Sequence, residues 1–167
     1  MLAALNGIHD HSKVLSRMSS IQIREAIETD VLDIQLCARQ AYFKYVQRMD
    51  REPAPMHADF AGQVARGYVS VATSQAGLLG YVVAYPQGSQ FKLESVAVMP
   101  DCEGRGIGKL LIEHVEKTAK HAGYKTVGLY TNEAMTENIT MYPKLGYVEV
   151  DRMLDDGFNR VFFSKLL

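Results

Sequence analysis

The sequence lacks the features that mark membrane-spanning, secreted and metal-binding proteins. No apolar run approaches the roughly 18 residues that a membrane-spanning helix needs, and the first 20 residues contain no apolar signal-peptide segment. The two cysteines, Cys37 and Cys102, have no metal-ligand spacing, and no two of the five histidines stand four residues apart. We therefore expect a cytoplasmic protein with no metal site and no membrane contact.

A strong excess of charge of either sign is also lacking. Eighteen Lys and Arg residues against nineteen Asp and Glu residues leave a formal net charge of -1, which favours no nucleic-acid partner. Any anionic ligand must therefore be bound by a local arrangement of residues. With 167 residues, 47% of them hydrophobic, the chain is long enough for one domain with a full core. The first strand pattern begins at Ile21, so we expect residues 19–167 to form the domain and residues 1–18 to be an N-terminal extension.

The most informative segment is a strand pattern at residues 93–100, a glycine-rich turn and the start of an apolar-periodic helix. The turn reads Glu103-Gly104-Arg105-Gly106-Ile107-Gly108-Lys109. Three glycines at alternate positions let backbone N–H groups approach a ligand, and the helix directs the positive end of its dipole to the same place. This pattern predicts a phosphate or pyrophosphate site. Dinucleotide-binding folds usually carry such a turn after their first strand, whereas here three predicted strands precede the strand that leads into the turn.

Hydrophobic periodicity and turn residues predict the element order β-α-α-β-β-β-α-β-α-β-β. The expected strands are residues 21–26, 68–73, 78–85, 91–99, 125–130, 146–151 and 160–166, and the second and third of them form an antiparallel hairpin. The expected helices are one that begins at Thr29 or Asp30, and residues 56–66, 106–121 and 134–145. Because Pro53 and Pro55 forbid an uninterrupted helix, we expect a loop within residues 42–59.

This order and two motifs resemble the GNAT superfamily of acetyl-CoA-dependent N-acetyltransferases over residues 20–167. The family's signature of Gln or Arg, two residues, Gly, one residue, and Gly or Ala is similar to residues 103–108. A later signature, a helix with Asn that ends in Tyr, a basic residue, Leu, Gly, and Phe or Tyr, is similar to residues 138–147. The resemblance implies an α+β fold, a three-layer α/β sandwich. Its mixed, mostly antiparallel sheet has about seven strands, about four flanking helices and a splayed central strand.

The resemblance also implies a cofactor site for acetyl-CoA. In it, the N–H of Val96 polarises the thioester carbonyl and the backbone of Val98 pairs with the pantetheine arm. The expected cofactor-binding residues are Val96, Ala97, Val98, Glu103, Gly104, Arg105, Gly106, Ile107, Gly108, Lys109, Asn132, Asn138 and Tyr142. Two positions depart from the family pattern. Glu103 replaces Gln or Arg, and Met135 stands where the family often has Asn, so Asn132 and Asn138 are the candidate substitutes.

Two residues are the expected catalytic groups. Glu94 lies on the strand that leads into the glycine-rich turn, and the resemblance implies a general base there. Because the ordinary pKa of glutamate is only about 4.3, we expect this base to act through a water molecule. Tyr142 lies in the later signature and can donate a proton to the departing thiolate. The alternatives are a solvent-facing strand residue for Glu94 and a packing role for Tyr142.

The acceptor site is expected in residues 42–59, where Tyr45, Arg48, Glu52 and Met56 combine aromatic surface with both signs of charge. Glu52 or Asp59 could bind an ammonium group and Arg48 a carboxylate; the alternative is an ordinary solvated loop.

The expected function is transfer of acetyl to a primary amine by direct attack in a ternary complex, with a small molecule as the acceptor. The alternatives are a protein N-terminus or lysine as acceptor, or a non-catalytic acyl-CoA sensor. A homodimer is left open, and no nucleic-acid or membrane partner is expected.

Overall fold

Seven strands form one mixed sheet in the computed structural model, which describes residues 20–167. They are β1 (Gln22–Glu25), β2 (Val69–Ser74), β3 (Gly77–Gln87), β4 (Gln90–Val98), β5 (Thr126–Asn132), β6 (Val148–Asp155) and β7 (Phe158–Leu166). Their order in the sheet is β1-β2-β3-β4-β5-β7-β6, and every neighbouring pair is antiparallel except β4 and β5. The predicted α+β fold is confirmed. The expected N-terminal extension lies outside the described residues.

Four helices cover the two faces of this sheet. They are α1 (Val31–Met49), α2 (Phe60–Ala65), α3 (Ile107–His121) and α4 (Thr136–Lys144). Buried residues of α3 and α4 form a core with one face of the sheet, including Phe91 and Leu93. Buried residues of α1 and α2 form a second core with the other face, including Ala97. The sheet is thus the middle of three layers.

The loop expected within residues 42–59 begins only after Met49, because α1 continues to that residue. Tyr42 and Tyr45 continue the helical spacing of the apolar face and are buried against the sheet. The helix ends where Asp50 adopts a left-handed conformation with a φ of 52°, three residues before Pro53. The connector from residue 50 to residue 59 contains a short 3-10 turn, Ala54–His57. The helix predicted at residues 56–66 is therefore shorter.

A β-bulge interrupts β4 at Glu94. In the antiparallel register with β3, Leu93 pairs with Ala84 and Ser95 pairs with Val83, so Glu94 has no partner. The extra residue reverses the alternation of faces. Before it Leu93 faces the α3 core, and after it Ala97 faces the α1 core.

The parallel pairing of β4 with β5 is confined to two residue pairs, Phe91 with Val127 and Lys92 with Gly128. Beyond Lys92 the two strands separate, which confirms the predicted splayed central strand. The edge of β4 that faces β5 therefore has main-chain groups with no strand opposite them.

Candidate active site

A cavity of about 300 Å³ lies where β4 and β5 separate. It is bounded by the end of α1, the connector to α2, and side chains of β4, β5, α4 and β7. The structure brings six of the predicted site residues to its wall: Asp59, Glu94, Val96, Asn132, Asn138 and Tyr142.

Glu94 lies on the wall because of the bulge in β4. Its side chain is 31% exposed, and its Oε1 lies 3.8 Å from Nζ of Lys92. Burial, followed by a hydrogen bond with Glu94, raises the pKa of Tyr85 above its usual range. Glu94 is thus a partly buried carboxylate beside the cavity, with a cation and a protonated phenol as neighbours.

The main chain of Val96 is directed into the gap between the strands. The N–H of Met99 donates to the carbonyl of Leu79 on β3 at 2.8 Å, so the groups of Val98 and Val96 point away from β3. The carbonyl of Val96 accepts a hydrogen bond of 3.0 Å from the hydroxyl of Tyr42 on α1. Since the N–H and C=O of one residue in a strand point the same way, the Val96 N–H is directed into the same gap, and no strand of residues 20–167 pairs with it there.

Tyr142 approaches the same cavity from α4. Its ring packs against Tyr147 and Phe163, with 5.6 Å between ring centroids in both pairs. Its hydroxyl has no hydrogen-bond partner within residues 20–167. Burial raises the pKa of Tyr142 above its ordinary value, so the phenol is protonated at neutral pH and available as a donor.

The glycine-rich turn forms a set of unpaired donors at the start of α3. Gly104 and Gly106 have φ angles of 76° and 78°, a left-handed conformation that favours glycine. Within the described residues, no acceptor pairs with the backbone N–H groups of residues 104–109. These N–H groups and the dipole of a 15-residue helix are directed at one place, which suits a pyrophosphate.

The charged residues of the turn differ in whether they form an ion pair. The carboxylate of Glu103 lies 3.2 Å from Nζ of Lys44 on α1, and Nζ of Lys109 lies 3.8 Å from Glu113. Arg105 makes no ion pair within residues 20–167. Glu103, which departs from the family pattern, is therefore balanced by a cation from α1.

A comparison with known protein families shows to which family the chain belongs. The profile of the Acetyltransferase (GNAT) family matches residues 31–147. The chain belongs to this family. None of the curated proteins matches the sequence significantly.

Solved structures of other acetyltransferases share the fold. PaiA N-acetyltransferase from Thermoplasma acidophilum, in complex with coenzyme A, is 18% identical, with a TM-score of 0.74 over 89% of this chain and 99% of that one. The IAA acetyltransferase of Bacillus cereus is 19% identical, with a TM-score of 0.67 over 89% of this chain and 100% of that one. The ribosomal-protein-S18-alanine N-acetyltransferase of Escherichia coli is 18% identical, with a TM-score of 0.71 over 88% of this chain and 94% of that one.

Two asparagines lie near the GNAT family's usual Asn position, which Met135 occupies here. Met135 is buried, so its side chain serves packing. Asn138 lies one helical turn further and donates from Nδ2 to Oγ1 of Thr131 at 3.1 Å. Oδ1 of Asn132 accepts from the N–H of Ala134 at 2.8 Å and so fixes the turn before α4. Both line the cavity, and their predicted role in cofactor binding stays a prediction.

The structure does not bring the four predicted acceptor residues to this cavity. Arg48 makes two hydrogen bonds of 2.8 Å with Glu137 on α4 and lines an adjoining cleft. Tyr45 is buried under Arg48, whose Cζ lies 5.3 Å from the ring centroid. Glu52 pairs with His57, and Met56 packs against the α1 core.

The connector nevertheless contributes to the cavity through other residues. Asp59, the remaining acceptor candidate, lines the wall while its Oδ1 caps α2 by accepting from the N–H of Gly62 at 3.0 Å. Sequence reasoning missed Gln63, Tyr130, Phe158 and Arg160, which also line the cavity. Tyr130 and Arg160 stand at the ends of predicted strands, a position where polar side chains often meet, and this signal could have identified them.

Two further observations concern metal ions and membranes. Within residues 20–167, no three His, Cys, Asp or Glu side chains are grouped so that they could hold a metal ion. In the same part of the chain, every helix is too short or too polar to cross a lipid bilayer.

Proposed function

We propose that this GNAT protein is an N-acetyltransferase that moves the acetyl group of acetyl-CoA to the primary amine of a small molecule by direct attack. The observation that carries the proposal is the convergence of three groups on one cavity. These groups are the carboxylate of Glu94, the N–H of Val96 and the hydroxyl of Tyr142. They are the base, the carbonyl-polarising donor and the acid that acyl transfer needs.

The cofactor fits the remaining features of the site. The unpaired N–H groups of residues 104–109 suit a pyrophosphate, and Arg105 adds a cation beside them. The unpaired edge of β4, with the main chain of Val98, suits an extended amide-containing arm that adds like a strand. Acetyl-CoA, when bound, supplies an acyl group that is activated as a thioester.

Each residue then has a distinct step. An alkyl ammonium group has a pKa of about 10 and must lose its proton before it can attack, whereas an ordinary glutamate has a pKa of about 4.3. Glu94 therefore removes the proton through a water molecule, while the Val96 N–H donates to the carbonyl oxygen. Tyr142 is protonated at neutral pH, as a phenol of ordinary or raised pKa is, and it donates a proton to the departing sulfur.

The walls of the cavity favour a small acceptor over a polypeptide. Arg51, just beyond α1, donates from Nη1 to the carbonyl of Asp156 at 3.3 Å, and its Cζ lies 4.3 Å from the ring centroid of Phe158. These contacts join the β6–β7 turn to the α1–α2 connector beside the cavity. The space of about 300 Å³ that they bound has the size of a small-molecule site.

The test is thiol release from acetyl-CoA with a panel of primary amines, together with mass detection of the acetylated product. We expect Glu94→Gln and Tyr142→Phe each to lower kcat by roughly 10² to 10⁴, the usual contribution of a general acid or base. Glu149→Gln on β6 and Tyr124→Phe outside the cavity are the matched controls, and both should retain the wild-type rate. Coenzyme A binding without thiol release for any amine would support a sensor instead. Absence of coenzyme A binding would refute both functions.

A further inference from the structure

Arg160 is a nearly buried cation in the wall of the cavity. It stands at the start of β7, and its side chain is 12% exposed. The guanidinium carbon lies 4.2 Å from the ring centroid of Tyr130 and 5.7 Å from that of Phe158. These two rings hold the guanidinium at the wall of the cavity, and no other Lys or Arg among the described residues lines it.

Most of the donors of Arg160 have no partner. A guanidinium has five N–H donors, and here only Nη1 is used, in an ion pair with Asp155. The other donors meet no acceptor within residues 20–167. Because Arg160 lines the cavity, these donors are available to a ligand that brings an acceptor.

Other residues of the lining show the reverse deficit. Oε1 of Gln63 is buried and receives no hydrogen bond within residues 20–167, and the acidic residues Asp59 and Glu94 also line the cavity. These oxygens suit an N–H-rich group such as an ammonium. Much of the remaining lining is apolar and includes side chains such as those of Met49 and Phe158.

We propose that the acceptor is a small amino acid-like compound whose carboxylate binds Arg160 while its amine faces Glu94. This inference rests on the proposed function and specifies its substrate class. The sequence pattern suggested Arg48 for the carboxylate, but both terminal nitrogens of Arg48 are engaged by Glu137. Arg160 has a free edge that is suited to a bidentate carboxylate.

Matched acceptor pairs test the inference. Each pair contains an amine with and without a carboxylate: phenylalanine and phenethylamine, para-(aminomethyl)benzoate and benzylamine, and beta-alanine and ethylamine. We expect the wild type to use the acid of at least one pair with a kcat/KM at least tenfold above its neutral partner. Arg160→Gln should abolish this preference through a higher KM for the acid, and Arg160→Lys should restore part of it.

The variant Asp155→Asn distinguishes a structural role of Arg160 from the binding of a substrate carboxylate. This variant breaks the same ion pair but leaves the guanidinium, so the preference for the acid should persist. Loss of the preference in Asp155→Asn, its persistence in Arg160→Gln, or equal use of acid and neutral amines by the wild type would each overturn the inference. So would failure to accept any acid while neutral amines are acetylated, which leaves the acetyltransferase function itself intact. Failure to bind coenzyme A or to release thiol with any amine refutes the proposed function, and with it the inference.

Discussion

Tyr42→Phe is the substitution that tests how the main chain of Val96 is held at the cavity. The change removes one hydroxyl and keeps the ring, so the packing of α1 on the sheet is preserved. That hydroxyl donates to the carbonyl of Val96 at 3.0 Å, and Tyr42 is only 8% exposed. Since β5 has already separated from β4 at this point, no strand offers the carbonyl a substitute donor.

The expected cost follows from the loss of one buried hydrogen bond. An intramolecular hydrogen bond contributes about 1 kcal/mol net, and an acceptor left buried without a partner costs roughly 1–3 kcal/mol. We therefore expect Tyr42→Phe to lower the free energy of unfolding by about 1–2 kcal/mol. For a domain of this size the Tm falls by roughly 2–4 °C for each kcal/mol. The N–H of Val96 belongs to the same residue as this carbonyl, so a main-chain shift there should also move the N–H. We therefore expect kcat for acetyl transfer to fall as well.

Tyr45→Phe is the matched control. Tyr45 is buried to a similar degree, at 6% exposure, but its hydroxyl makes no hydrogen bond within residues 20–167. Its loss should change the free energy of unfolding by less than about 0.5 kcal/mol. The assay is urea denaturation followed by circular dichroism, because the chain has no tryptophan. Equal effects of the two substitutions would refute the proposed role of the Tyr42 hydroxyl.

Two further predictions concern packing and charge. Gly80→Ala should destabilise the fold by about 2 kcal/mol or more in the same assay, because its Cβ would lie 2.6 Å from a backbone carbonyl of β4. Gly128→Ala should cost less, since the atom at 2.4 Å belongs to the flexible end of a glutamine side chain; an equal cost would contradict this reasoning. Hydrogen bonds from Arg48 lower the pKa of Glu137 from an ordinary 4.5 to about 2, so the pair stabilises the fold above pH 4.5 and loses that effect as the pH falls toward 2. An NMR titration should show the Glu137 pKa returning toward 4.5 in Arg48→Ala, and an unchanged value would exclude this cause.

Much of the fold was predictable because it depends on local patterns. Alternating residues predicted the β2–β3 hairpin, and the Asp156-Gly157 turn between β6 and β7 adopts the left-handed angles that these residues favour. The glycine-rich turn predicted both the start of α3 and an anion site, since its chemistry uses backbone groups within seven consecutive residues.

The details of the site were less predictable because distant pairings decide them. The bulge at Glu94 results from the register of β4 with β3, and strand periodicity alone does not show which residue is left unpaired. Arg48 was expected to bind a carboxylate of the substrate, but its guanidinium pairs with the carboxylate of Glu137, 89 positions later in the chain. Arg160 reaches the cavity because β7 lies next to β5 in the sheet, which the chain order does not indicate.

The proposed function requires that backbone N–H groups of the β4 edge and of the turn before α3 bind the cofactor, and side-chain substitutions test this binding only indirectly. Titration of the ¹⁵N-labelled protein with coenzyme A, followed through amide chemical shifts, tests it most directly. We predict saturable shifts with one common dissociation constant for the amides of Val96, Val98 and residues 104–109. Unchanged amides at these positions at saturating coenzyme A would contradict the account.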